Sequence, residues 1–256
     1  MNRLLTAAVM GALALALGSA AYPAGAAEDK EKEGFLRSET LGGSFTGTIA
    51  VTSEYFARGK TNTRPGVPGI QPQIEFDHDS GAYFQVFGSN VDKPAPEDSG
   101  RIELDYFAGF RNDIGDLGYD LMAGYTTYPG AHRADGLDFN FFELTAKVDY
   151  DLDWAKPYVA VSWSPEYQYE SGEEWYYVTG VEVPIGKNFT AMAHVGHSTF
   201  DRNRRAGNND YSDWALGLGT SVLGLDLKLE YVATDLPRRQ CISGCDRVVF
   251  TVSKTF

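Results

Sequence analysis

The chain has 256 residues, with 22 Lys+Arg against 35 Asp+Glu and a formal net charge of -13. That length suits one large domain or two small ones, and 43% hydrophobic with 22% charged residues excludes wholesale disorder. The acidic balance excludes phosphate-backbone binding as the main task, so no nucleic-acid partner is expected, and two Cys are too few to frame a disulfide mini-domain.

The only long apolar stretch comes first. Asn2-Arg3 is a short positive start, Leu4 to Leu17 an apolar run, and Ala24-Gly25-Ala26 or Gly25-Ala26-Ala27 a small-residue cleavage site. Residues 1–27 therefore read as a secretory signal peptide, because the run is shorter than the ~20 residues of a spanning helix. Glu28 to Gly34 is a charge run without aromatics, and residues 28–43 are expected to form a polar periplasmic tail.

From Ser44 the chain alternates apolar and polar residues between turns. Strands are expected near 44–56, 69–77, 81–91, 101–111, 117–128, 138–150, 155–165, 174–185, 188–200, 211–223, 225–235 and 246–256, twelve in all. The links alternate as well. Asp77 to Gly81, Asn112 to Asp116, Asp151 to Asp153, Gly186-Lys187 and Leu223-Gly224 are tight. Ala57 to Pro68, Asp92 to Gly100, Pro129 to Leu137, Glu166 to Glu173, Asp201 to Asp210 and Leu236 to Cys245 are long. Short periplasmic turns, long extracellular loops and an even strand number are the signature of an antiparallel up-and-down transmembrane β-barrel of the outer membrane. Residues 44–256 are read as that barrel.

The strand faces fit. Leu225, Leu227, Leu229 and Tyr231 oppose Asp226, Lys228 and Glu230; Ile102, Leu104, Tyr106, Ala108 and Phe110 oppose Glu103 and Asp105; Phe142, Leu144, Ala146, Val148 and Tyr150 oppose Glu143, Thr145, Lys147 and Asp149. A wholly apolar lumen is hard to fill in twelve strands, so the greasy faces are assigned to lipid and the charged ones to water. Tyr55-Phe56, Tyr125, Tyr128, Trp163, Tyr167, Trp175 to Tyr177 and Trp214 are assigned to the bilayer interface. The last strand ends on Phe256, sharing a face with Val248, Phe250 and Val252. It resembles the signal that outer-membrane proteins present to the barrel-assembly machinery, with Lys254 as a departure.

Several segments also resemble the Gcw_chp family. These are Thr52-Ser-Glu-Tyr-Phe-Ala-Arg-Gly59, Asp77-His-Asp-Ser-Gly-Ala-Tyr83, Ser89-Asn-Val91, Glu103-Leu-Asp-Tyr-Phe-Ala-Gly109, Gly118-Tyr-Asp120, Tyr128-Pro-Gly130 and Tyr211-Ser-Asp-Trp-Ala-Leu-Gly217. The likeness runs from about Gly47 to about Asp235. It implies an exported bacterial outer-membrane barrel and supplies no catalytic residues.

Motifs of known chemistry are few. His194 and His197 are three apart, which sends them to opposite faces of a strand, so no shared metal site is expected. Ser198 next to His197 fails as a nucleophile–base pair for the same reason, and no enzymatic activity or cofactor is expected. His78 and His132 sit in a turn and a loop. Cys241 and Cys245 are expected to form a local disulfide after export. Arg58, Lys60 and Arg64 in the first long loop form a patch at the mouth or simply solvate it.

The inward faces carry the functional expectation. Glu54, Glu75, Glu103, Asp105, Asp120, Glu143, Glu182, Asp226 and Glu230, with Lys147, Lys228 and Arg247, are expected to line the lumen. The reading is a narrow passive outer-membrane channel for small hydrophilic solutes, its negative lining favouring cations among them, whose partners are membrane lipid, the assembly machinery during biogenesis and those solutes. A non-conducting structural or interaction barrel is the second reading, and an outer-membrane hydrolase the third.

Overall fold

The computed structural model describes residues 36–92, 100–131, 138–201, 209–241 and 245–256. The signal segment, the start of the polar tail and His132 lie outside them.

The strands are β1 (Leu36–Ser38), β2 (Gly43–Thr52), β3 (Phe56–Ala57), β4 (Lys60–Thr61), β5 (Gly69–His78), β6 (Ala82–Asn90), β7 (Ile102–Ile114) and β8 (Leu117–Thr127), followed by β9 (Phe141–Tyr150), β10 (Lys156–Ser164), β11 (Glu174–Ile185), β12 (Phe189–Phe200), β13 (Tyr211–Val222), β14 (Leu225–Thr234) and β15 (Asp246–Thr255). Twelve of them, β2 and β5 to β15, form the wall, each antiparallel to its neighbours, and β2 pairs with both β5 and β15 to close it. Two three-residue 3₁₀ turns are the only helical pieces among the described residues.

The closing seam is short. Thr48 to Thr52 align with Thr255 to Thr251, five pairs, whereas β2 and β5 align over ten. Hydroxyls reinforce it: the Oγ1 atoms of Thr48 and Thr255 lie 3.0 Å apart, and Thr251 Oγ1 donates to Thr52 Oγ1 at 3.1 Å.

The expected short and long links fall at opposite ends of the barrel. Gly81, Gly115, Gly186 and Gly224 all take positive φ in the short turns, a conformation that glycine adopts without a Cβ penalty. Most strand ends lie within three residues of expectation, and two departures are larger in consequence. The first wall strand stops at Thr52, after which Glu54, Tyr55 and Phe56 are all buried and Phe56 pairs with Thr61 instead of with the wall. The end of the polar tail is not free either. β1 pairs with β2, and Arg37 grips Asp79 with both Nη atoms at 2.6 and 2.8 Å.

The two faces divide as the alternation predicts. Ile49, Ile74, Phe84, Leu121, Leu144, Val159, Leu216, Leu218 and Leu229 are exposed on the outside, while Gln71, Gln85, Thr145, Ser162, Ser198 and Thr251 are buried inside. A soluble protein would reverse this arrangement. Inside, aromatic rings lie on glycines of the adjacent strand. A Cβ on Gly109 would come within 2.5 Å of the Tyr83 ring, one on Gly180 within 2.5 Å of Tyr158, and one on Gly124 within 2.9 Å of Phe107. These rings narrow the lumen, and glycine is what lets them lie flat against the wall.

Candidate functional site

Folding the first loop inward builds the principal site. β3 and β4 pair only with each other, Phe56 with Thr61 and Ala57 with Lys60, leaving Arg58-Gly59 as a two-residue turn. Both turn residues have positive φ, 47° and 69°, the pattern of hairpin turns whose twist matches their strands. The hairpin springs from the β2–β5 link, yet its tip meets β9, β11, β13 and β14, nearly halfway around the ring. It therefore crosses the lumen.

Arg58 is the tip. Its Nη2 donates to Glu143 Oε2 at 2.5 Å and its Nη1 lies 2.9 Å from Glu174 Oε2. Its guanidinium carbon sits 4.4 Å from the centroid of the Tyr176 ring and 5.7 Å from that of Tyr167. Burial opposes the Arg58 charge, but Glu143 and Glu174 outweigh it and hold the group's pKa above its ordinary value. Lys60 lies over Tyr211, 4.3 Å from the ring centre, and Arg64 pairs with Asp92 at 3.0 Å on the rim. The three cations thus have separate places rather than forming one patch at the mouth.

The base of the hairpin is also fixed. Tyr55 donates its hydroxyl to Glu103 Oε1 at 2.6 Å, and Tyr128 donates to Glu103 Oε2 at 2.5 Å. Burial and the nearby Glu103 and Asp105 carboxylates push the pKa of both phenols well up, so they stay protonated and serve as donors. Tyr55, Tyr83, Phe87, Val91, Phe107, Met122, Tyr128 and Phe139 form an apolar cluster inside the barrel around this anchor. Tyr55, Phe56, Tyr128 and Tyr176 are therefore turned into the lumen, against the expectation of interface rings. Tyr125, Tyr177 and Trp214 are exposed outside as expected. Alternation separates Tyr176 from Tyr177, while the hairpin carries Tyr55 and Phe56 off the wall.

The residues expected to line the lumen fall into several groups. Glu75, with Asp77, is engaged by Arg111 Nη2, at 2.6 Å for Glu75, and Arg111 lies over the Tyr83 ring. Tyr83 donates to Asp120 at 3.0 Å. Lys147 sits 3.7 Å from Asp149, which also takes Lys156 at 2.9 Å. Lys228 pairs with Glu230 at 2.9 Å, Arg247 lies 3.5 Å from Glu54, and Ser221 donates to Asp226 at 2.5 Å near a short turn. Asp105 is buried and Glu182 half-buried on the same inner surface. Glu103 and Glu143 hold the hairpin rather than a through-going path. Arg111, Glu174 and Asp213 belong with them although they were not singled out from sequence; each shares the parity of an inward residue on its strand, and that signal was available.

His194 and His197 face opposite sides, His194 Nε2 lying 3.3 Å from Asp213 and His197 Nδ1 3.1 Å from Ser212 Oγ. Cys241 and Cys245 are joined by a disulfide in the last long loop. Among the described residues no cluster of three or more metal-ligating side chains occurs.

A closed twelve-stranded wall, apolar outside and ionised inside, with a loop folded across its bore, defines an antiparallel transmembrane β-barrel. The chain belongs to the family described as bacterial proteins of unknown function (Gcw_chp), whose profile matches residues 38–256. Solved structures with similar folds include a KdgM porin in complex with disordered oligogalacturonate, a NanC porin and an outer membrane channel from Pseudomonas putida F1. The first has TM-score 0.53 at 6% identity, covering 83% of this chain and 97% of that one. The second has 0.53 at 8%, covering 83% and 98%, and the third 0.50 at 10%, covering 90% and 100%. At such identities the likeness is one of fold. No curated protein matches the chain.

Proposed function

We propose that the protein is a narrow outer-membrane channel for small hydrophilic cations. One observation carries this reading: among the buried charged side chains of the described residues, ten are carboxylates and only Arg58, Arg111 and Lys228 are cations. An inner surface with that excess attracts cations and repels anions. The oligogalacturonate held by the KdgM porin is an oligoanion, and this interior is unsuited to it. A porin-like wall whose inner face carries charged side chains beside the apolar cluster supports a water path, most plainly in the half nearer the short turns, where Lys147 and Glu182 are only partly covered.

Conductance of the folded protein in planar bilayers with ion substitution tests the proposal. Discrete steps with a reversal potential favouring K⁺ over Cl⁻ are expected. Glu182→Gln combined with Asp226→Asn should shift that potential toward zero, and an unchanged value would remove these two carboxylates from the path. The hairpin across the lumen favours a second reading, a non-conducting interaction barrel, which the absence of any steps would select.

A further inference from the structure

We infer that Glu143 and Glu174, with the Tyr176 and Tyr167 rings, form a binding site for guanidinium-bearing small cations, and that Arg58 occupies it as a built-in stand-in for the solute. This rests on the channel reading and names the solute class that the channel recognises.

The two carboxylates come from β9 and β11, both buried, and they converge on one guanidinium. Buried like charges this close stay ionised together only with a cation between them. A guanidinium meets the remaining demands better than an ammonium. It is flat, weakly hydrated, presents forked donors to carboxylates and stacks on aromatic faces, as Arg58 does on Tyr176 at 4.4 Å. The occupant is also removable. It sits at the tip of a hairpin whose two-residue strands pair only with each other, so withdrawing it breaks no ladder of the wall. The hairpin crosses the lumen, and an external cation that takes over Glu143 and Glu174 releases the obstruction in its own path.

The test uses the full chain folded into detergent and bilayers, with methylguanidinium as probe and methylammonium as the control of equal charge. Arg58→Ala should conduct better than the wild type. Calorimetry should show it binding methylguanidinium about tenfold more tightly than methylammonium, a difference of ~1.4 kcal/mol. Adding Glu143→Gln and Glu174→Gln should abolish that preference. Equal binding of the two probes, or a preference that survives loss of both carboxylates, overturns the site. Binding without conduction in either protein keeps the site and removes the channel, so the two readings fail separately. Arg58→Gln keeps bulk and donors should the alanine variant not fold. In the wild type, methylguanidinium but not methylammonium should speed amide exchange over residues 56–61; no difference between the probes overturns the stand-in role.

Discussion

Arg111 sits inside the barrel on β7 and reaches past β6 to Glu75 and Asp77 on β5, with the Tyr83 ring beneath it. Replacing it with Met keeps most of the stem and deletes the charge, leaving Glu75 buried without its cation. We expect a loss of roughly 3–5 kcal/mol, the usual result of removing one partner of a buried pair, read from urea unfolding in lipid vesicles. A loss under about 1 kcal/mol would mean that water already screens the pair, as at an exposed ion pair. At this scale the sequence was legible through parity. On β7, positions 103, 105, 107, 109 and 111 share a face, so the side that held Glu103 and Asp105 had to hold Arg111. Parity says which side a residue faces and nothing about whom it meets. That Glu103 would be capped by Tyr55 and Tyr128, from two different loops, is a tertiary fact with no local trace in the alternation.

Among the elements, the wall strands were legible and the first loop was not. Turn residues such as Leu223-Gly224 and Asp77 to Gly81 punctuate long alternating runs, and a two-residue period has few competing explanations. The hairpin of residues 56–61 is different. Its strands are two residues each, too short for a periodic signal, and its Arg58 takes positive φ without being a glycine. What defines it is the far wall, where Gly59 lies so close to Asp213 and Thr234 that a Cβ would approach their Cβ atoms within 2.7 and 2.9 Å. Another prediction belongs here. Gly109→Ala puts a methyl group into the Tyr83 ring, which is buried and also held by Asp120 and Arg111. Overpacking of this sort costs about 1–3 kcal/mol, and it should be visible as a lowered urea midpoint and changed near-UV dichroism from tyrosine. A midpoint equal to the wild type would show that the ring gives way freely.

For the whole molecule, the governing property is the inverted distribution of polarity. Leu218 lies on the outer face of β13, beside Ala191 and Leu229 on the strands to either side, in an apolar belt. Leu218→Arg should destabilise the barrel by roughly 2–4 kcal/mol if that belt meets the bilayer midplane, measured by reversible unfolding in vesicles. An effect near zero would place Leu218 at the interface instead. The closed circle was legible from an even strand number and rhythmic links, whereas the partial filling of the bore by aromatic rings was not, because a ring that packs inward and one that anchors at lipid look alike in a strand. The seam between β2 and β15 carries a further consequence. Thr48 and Thr255 are 207 residues apart, and Gly47 and Phe256 beyond them exchange backbone hydrogen bonds at 3.4 and 2.9 Å, so the cylinder is completed by contacts between the two ends of the wall sequence. Such a contact bears the greatest loop-closure entropy and forms slowly. Until it forms, the unclosed sheet has two raw edges, each able to recruit a strand from another chain, so the slowest step of folding is also the one most exposed to mispairing.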